Sequence, residues 1–238
     1  MKLIVANFKM NLLKEDILEY LNHFDNKYSN VIFCPSDIYL NYFLDKKLLV
    51  GSQDVSANEM GAYTGDVSAS QLKSMGVKYA IIGHSERRKY HNDDKFIKEK
   101  LINTIINDLT PILCIGERKE ERDNNKTLDV LKHQLDEALS NIDKTLLSNI
   151  IIAYEPIWSI GTGIVPNNKD IYETISFIKD YLQKEYNLIL KVLYGGSVNN
   201  QNIEDLERIN NVDGYLIGGS SIDYNKFLDI IDKVNINQ

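Results

Sequence analysis

A glutamate that closes an apolar run and is followed at once by proline and tryptophan stands in Ala153-Tyr154-Glu155-Pro156-Ile157-Trp158. Such a carboxylate is poorly solvated, so the sequence predicts a raised affinity for protons and a group suited to general-base work. A buried ion pair with a lysine or arginine fits the same residues. His84 follows another apolar run, in Ile81-Ile82-Gly83-His84-Ser85-Glu86-Arg87-Arg88. Imidazole is the side chain most often used for proton transfer, although a lone histidine past a strand also occurs as a satisfied, half-buried residue. Lys9, in Asn7-Phe8-Lys9-Met10-Asn11, offers a cation near the end of the first apolar run. Taken singly, a lysine at a strand end is usually only a solvated surface charge.

Glycine-rich turns supply a different chemistry. Tyr194-Gly195-Gly196-Ser197-Val198 and Ile217-Gly218-Gly219-Ser220-Ser221 end the last two apolar runs. Paired there, they present free backbone N–H groups near helix starts, an arrangement that holds a phosphate. Ser159-Ile160-Gly161-Thr162-Gly163, fenced by Pro156 and Pro166, has the composition of a flexible lid with stiffer ends. A surface loop with no role has the same composition.

These residues need a scaffold that brings strand ends together. Continuously apolar, β-rich runs recur at 3–6, 31–34, 48–51, 79–82, 111–115, 150–154, 191–194 and 214–217. Without polar alternation, such runs suit strands buried on both faces of a parallel sheet. Between them, 16–21, 95–102, 128–139 and 171–182 carry apolar residues three and four apart, the spacing of amphipathic helices. The repeated strand-helix order predicts an α/β fold, and the turn after the first strand lacks the glycines of a doubly wound dinucleotide site. Polar residues past several different strands favour closure into a (β/α)8 barrel, with 1–238 forming a single domain.

Charge and composition narrow the partners. A formal charge of −7 disfavours nucleic acid, whose binding draws on lysine and arginine at phosphates. The opening residues reach Asn7 and Lys9 too soon for a secretory leader, and no later run spans a bilayer, so a cytoplasmic protein is expected. Cys34 and Cys114 sit in apolar stretches whose spacing suggests neither a metal site nor a disulfide framework.

Together the segments around Asn7-Phe8-Lys9, Gly83-His84-Ser85-Glu86-Arg87-Arg88, Cys114-Ile115-Gly116-Glu117, Tyr154-Glu155-Pro156-Ile157-Trp158, Gly161-Thr162-Gly163 and Tyr194-Gly195-Gly196-Ser197 resemble the triosephosphate isomerase family, in order and over nearly the whole chain. The resemblance implies interconversion of dihydroxyacetone phosphate and D-glyceraldehyde 3-phosphate with no metal and no organic cofactor. This family is itself a standard illustration of tuned proton affinities. By resemblance, Glu155 is the base and His84 is a neutral imidazole held so by a helix N-terminus. Lys9 and Asn7 stabilise negative charge, while Gly161, Ser197, Gly218 and Gly219 bind the phosphate. Glu86 matches a family residue beside the histidine, and an ion pair with a neighbouring cation explains it as well. Cys114 and Glu117 are expected to shape the barrel end. The loop 53–66 resembles one that plugs into a second subunit, so Thr64 implies a homodimer, against the simpler reading of a long surface loop.

Where the family commonly has lysine and small residues after the lid glycines, this chain has Ile164-Val165-Pro166, which predicts a stiffer second hinge. The segment 89–94 also departs from the family pattern. Two other readings share the phosphate turns: another phosphate-binding barrel isomerase, and a catalytically silent barrel that only binds a phosphorylated metabolite or a protein. The first does not require His84, Glu155 and the Trp-bearing lid together, and the second has no chemical reason to keep Lys9, His84 and Glu155.

Overall fold

The apolar runs become strands because each must bury two faces at once. The computed structural model describes residues 1–236, with β1 (Leu3–Asn7), β2 (Val31–Cys34), β3 (Leu49–Ser52), β4 (Tyr79–Ile82), β5 (Thr110–Ile115), β6 (Ile151–Tyr154), β7 (Lys191–Tyr194) and β8 (Gly214–Ile217). All neighbours are parallel and follow chain order, and β1 pairs with β8, closing the barrel. The seam is tight: a Cβ on Gly214 would lie 2.1 Å from the Leu3 carbonyl oxygen, so only glycine fits.

Residues of one parity pack inside the barrel, where Val5, Ile32, Cys34, Ile81, Ile112, Cys114, Ala153, Leu193 and Leu216 form one buried cluster. Those of the other parity, among them Ile4, Phe33, Ile82, Leu113 and Ile152, join a second cluster with helix residues such as Ile17, Leu131, Ile175 and Ile231. Each large aliphatic side chain so buried contributes about 1.5–3 kcal/mol. Alternation is therefore present in direction and invisible in polarity.

The helices surrounding the barrel are α1 (Lys14–Leu21), α2 (Leu40–Asp45), α3 (Ala69–Met75), α4 (Ser85–His91), α5 (Ile97–Ile106), α6 (Lys119–Asp123), α7 (Thr127–Leu139), α8 (Asn168–Tyr181), α9 (Ile203–Glu207) and α10 (Tyr224–Ile236). The helix expected over 95–102 begins later. Asn92 adopts φ +53°, which ends α4, and a 3-10 turn over Asp93–Phe96 intervenes before α5. Ser68 and Asn167 cap α3 and α8, accepting from Gln71 N–H (3.2 Å) and Asp170 N–H (2.9 Å).

An aromatic cluster links α1, α2, α10 and the first two strands, with Phe8 edge-on to Tyr20 (centroids 5.0 Å) and to Phe43 (5.6 Å). The Tyr20 hydroxyl then donates to the Ser221 carbonyl at 2.7 Å, tying the turn after β8 to α1.

Candidate active site

Lys9 lies just beyond β1 in the left-handed region, at φ +53°, which is unfavourable for a lysine. Its N–H donates to Asn7 Oδ1 (3.0 Å), and its carbonyl accepts from Ser36 Oγ (3.2 Å) and Gln53 Nε2 (2.8 Å). These bonds hold the backbone in a strained state that aims the side chain across the barrel mouth. The ammonium meets Glu86 Oε1 at 2.9 Å, and the other oxygen of Glu86 lies 3.6 Å from His84 Nδ1. Glu86 is thus both the ion-pair partner and the neighbour of the histidine.

His84 caps α4, and its Nδ1 accepts the Glu86 N–H at 3.2 Å. Gly83 makes the corner possible, with φ +68° and no room for a Cβ, which would sit 2.9 Å from Arg88 and Ile97. Arg88 then braces β4 against β5, donating from Nε to Gly83 O (2.7 Å) and from NH2 to Cys114 O (2.8 Å).

Glu155 follows β6, with its N–H donating to Ile115 O at 2.8 Å. The residue is 3% exposed, and its Oε1 lies 3.2 Å from His84 Nε2. The expected rise in proton affinity is not what the site produces. Burial pushes the Glu155 value up, but His84, Lys9 and Cys114 outweigh it and hold the carboxyl below its ordinary value. For His84 the balance runs the other way: burial lowers it, while Glu155 raises it past the ordinary value, with Lys9 opposing. Glu155 and His84 thus pull each other toward an ion pair, while the Glu86 N–H at Nδ1, which needs that nitrogen unprotonated, pulls toward the neutral imidazole that the resemblance implies.

Asn7, Lys9, His84, Glu155, Gly161, Ser197, Gly218 and Gly219 line one cavity of 330 Å³ at the C-terminal mouth of the barrel. A larger hollow of 590 Å³ between α5 and α7 brings no comparable set together. A Cβ on Gly218 would lie 3.2 Å from Lys9 Cε, so the bare turn lets the lysine pass over it. Ser197, at φ +46°, donates its hydroxyl to the Ser159 carbonyl, joining the turn after β7 to the lid. The lid is stitched down further by Ser159 Oγ to Ile164 O at 2.5 Å and by Thr162 Oγ1 to Ser159 O at 3.1 Å.

Glu117 carries the structural role expected for the barrel end. Fully buried, its Oε1 accepts from Trp158 Nε1 (3.0 Å) and Tyr154 OH (3.2 Å), with Arg122 at 3.4 Å. Thr64 does not line the cavity; it borders a separate hollow with Asp37, Asp54 and Arg87. Lys226 on α10 and Leu216 and Asn199 also line the cavity and were not anticipated. Leu216 sits inside an apolar run and Lys226 on a helix, so neither carries a local signal of a site.

The closed barrel, with Glu155 and His84 converging in a cavity at the C-terminal ends of its strands, defines an α/β-barrel protein whose candidate active site lies at that mouth. A family model described as triosephosphate isomerase matches residues 2–234. Curated relatives of that name include those of Malacoplasma penetrans, 40% identical over 97% of this chain and 98% of the relative, and Alkaliphilus oremlandii, 35% identical over 97% and 98%. That of Francisella tularensis is 38% identical over 98% and 97%. The chain belongs to the triosephosphate isomerase family.

Proposed function

We propose that this chain interconverts dihydroxyacetone phosphate and D-glyceraldehyde 3-phosphate through an enediolate. The observation that carries the reading is the 3.2 Å approach of Glu155 to His84 in a cavity that also holds Lys9 and the paired glycine turns. Glu155 takes a proton from the carbon beside the carbonyl and returns it to the neighbouring carbon. His84 donates from Nε2 to the developing oxyanion and takes the proton of the other oxygen. Lys9 and Asn7 stabilise the negative charge at the oxygens.

Substrate entering between Glu155 and His84 separates the pair. The pull of Glu155 on His84 then disappears, and burial and Lys9, which favour the neutral ring, are opposed by the Glu86 carboxylate alone among the charges that act on it. The Glu86 N–H at Nδ1 favours the neutral ring too, because a protonated Nδ1 could not accept that bond. A neutral donor suits the reaction, since it can take back a proton as readily as it gives one. Gly161, Ser197, Gly218 and Gly219 bind the phosphate, and the lid excludes water that would let the enediolate expel it.

Loop 53–66, with Thr64, is read as the contact of a homodimer; Met60 is 75% exposed near its tip, an apolar surface that a second copy would cover. A cytoplasmic setting suits the buried free thiols of Cys34 and Cys114. Among the described residues no helix is long and apolar enough to cross a membrane.

A coupled assay of dihydroxyacetone phosphate formation tests the reading. The unaltered chain turns over, while Glu155→Asp and His84→Gln each lose about a hundredfold in kcat. Absence of turnover in all three would leave the silent barrel or an isomerase of another phosphorylated substrate. Sedimentation of the chain with Met60→Asp tests the dimer, which the added charge should weaken.

A further inference from the structure

The peptide that carries Glu155 rests directly on Gly116. A Cβ built on Gly116 would lie 1.7 Å from the Glu155 carbonyl oxygen and 2.6 Å from its carbonyl carbon. On the far side, a Cβ on Gly195 would lie 3.0 Å from Glu155 Cγ. The base is thus gripped between two residues without side chains, and its place depends on where their backbones stand.

Gly116 lies one residue past the end of β5, where the ladder with β6 has run out. Its backbone groups are taken instead by a single side chain: Gly116 N–H donates to Gln134 Oε1 at 2.8 Å, and Gln134 Nε2 donates to Gly116 O at 3.1 Å. A primary amide presents donor and acceptor side by side, as a neighbouring strand would. Gln134 is anchored on α7, whose Leu131, Leu135 and Ala138 are buried against the barrel.

We infer that Gln134 is a positioning residue for the proton-transfer reaction, its amide fixing Gly116 and through it the peptide from which the Glu155 carboxylate hangs. The inference rests on the isomerase reading of the same site. Nothing in it requires Gln134 to touch substrate.

Gln134→Met keeps the bulk and removes both bonds; Gln134→Glu keeps the acceptor and loses the donor while ionised. Both should lower kcat about tenfold with KM within about twofold, because small misplacement of a base costs rate more than binding. A protonated glutamic acid regains a donor beside its acceptor. The activity of Gln134→Glu relative to the unaltered chain should therefore recover severalfold as pH is lowered from about 8 to about 5, whereas Gln134→Met should show no recovery.

Lowered melting temperature with unchanged kcat and a flat pH ratio would overturn the inference, since that is the mark of a merely structural bond. Inactivity of the unaltered chain would sink the isomerase reading alone. In that event a crystal structure of Gln134→Met decides: displacement of the Glu155 carboxylate from His84 supports the inference, and an unmoved carboxylate refutes it.

Discussion

His84 Nε2 stands 3.2 Å from Glu155 Oε1 although the two side chains are 6% and 4% exposed, so each shifts the proton affinity of the other. Glu155 is held below its ordinary value and His84 above. An acid with a depressed folded value stabilises above its unfolded value, near pH 4.3, and loses that as pH falls through the folded one. A base with a raised folded value stabilises fully below about pH 6.5 and loses that as pH rises through the folded one. The two windows overlap between these limits. Glu155→Gln should show its largest fall in Tm there, with the gap narrowing on either side. A gap independent of pH would refute the pairing.

The contrast between two glycines separates folding from chemistry. Gly116→Ala forces Cβ to within 1.7 Å of backbone, which cannot yield cheaply. It should cost about 3 kcal/mol or more in denaturant unfolding. Gly195→Ala is crowded by the Glu155 side chain at 3.0 Å, while Leu216 Cβ and the Tyr154 carbonyl oxygen stand at an ordinary 3.5 Å. There the carboxylate shifts, kcat falls about tenfold and Tm stays nearly unchanged. Equal effects of the two on Tm would contradict this assignment.

Lys100 is buried between two carboxylates, with Nζ 2.8 Å from both oxygens of Asp54 and 2.6 Å from Asp93. Arg87 reaches Asp54 as well, at 2.7 Å. Lys100→Met leaves the buried Asp93 carboxylate facing Arg87 Nε at 3.6 Å in place of an ammonium at 2.6 Å, and should cost about 3 kcal/mol. Urea midpoints read this directly, and a loss under about 1 kcal/mol would show the cluster to be surface-like.

Pro166 is buried, and Ile164 is bonded at its carbonyl to Ser159, so the second lid hinge is restrained at both residues. Exchanging Ile164-Val165-Pro166 for Lys-Thr-Ala should speed product release and leave the chemical step unaltered. Single-turnover and steady-state rates distinguish the two steps. An unchanged release rate counts against the stiff hinge.

What was readable from residues alone follows from local causes. Strands such as Val31–Cys34 and Gly214–Ile217 appear as unbroken apolar runs because both faces are buried, and the chemical residues appear just past them because a strand end is where the core stops. Helix α8 is legible in its spacing, whereas α5 begins late because Asn92 turns left-handed, which side-chain pattern does not encode. Closure of the sheet decided everything that depends on distance. It set His84 against Glu155 and Lys9 against Glu86, and so reversed the expected shift of Glu155: solvation is a local property of a run, but the field of a cation arriving from another strand is not. Likewise the grip of Gln134 on Gly116 exists only because a helix face, chosen by its buried leucines, lands beside the open end of β5.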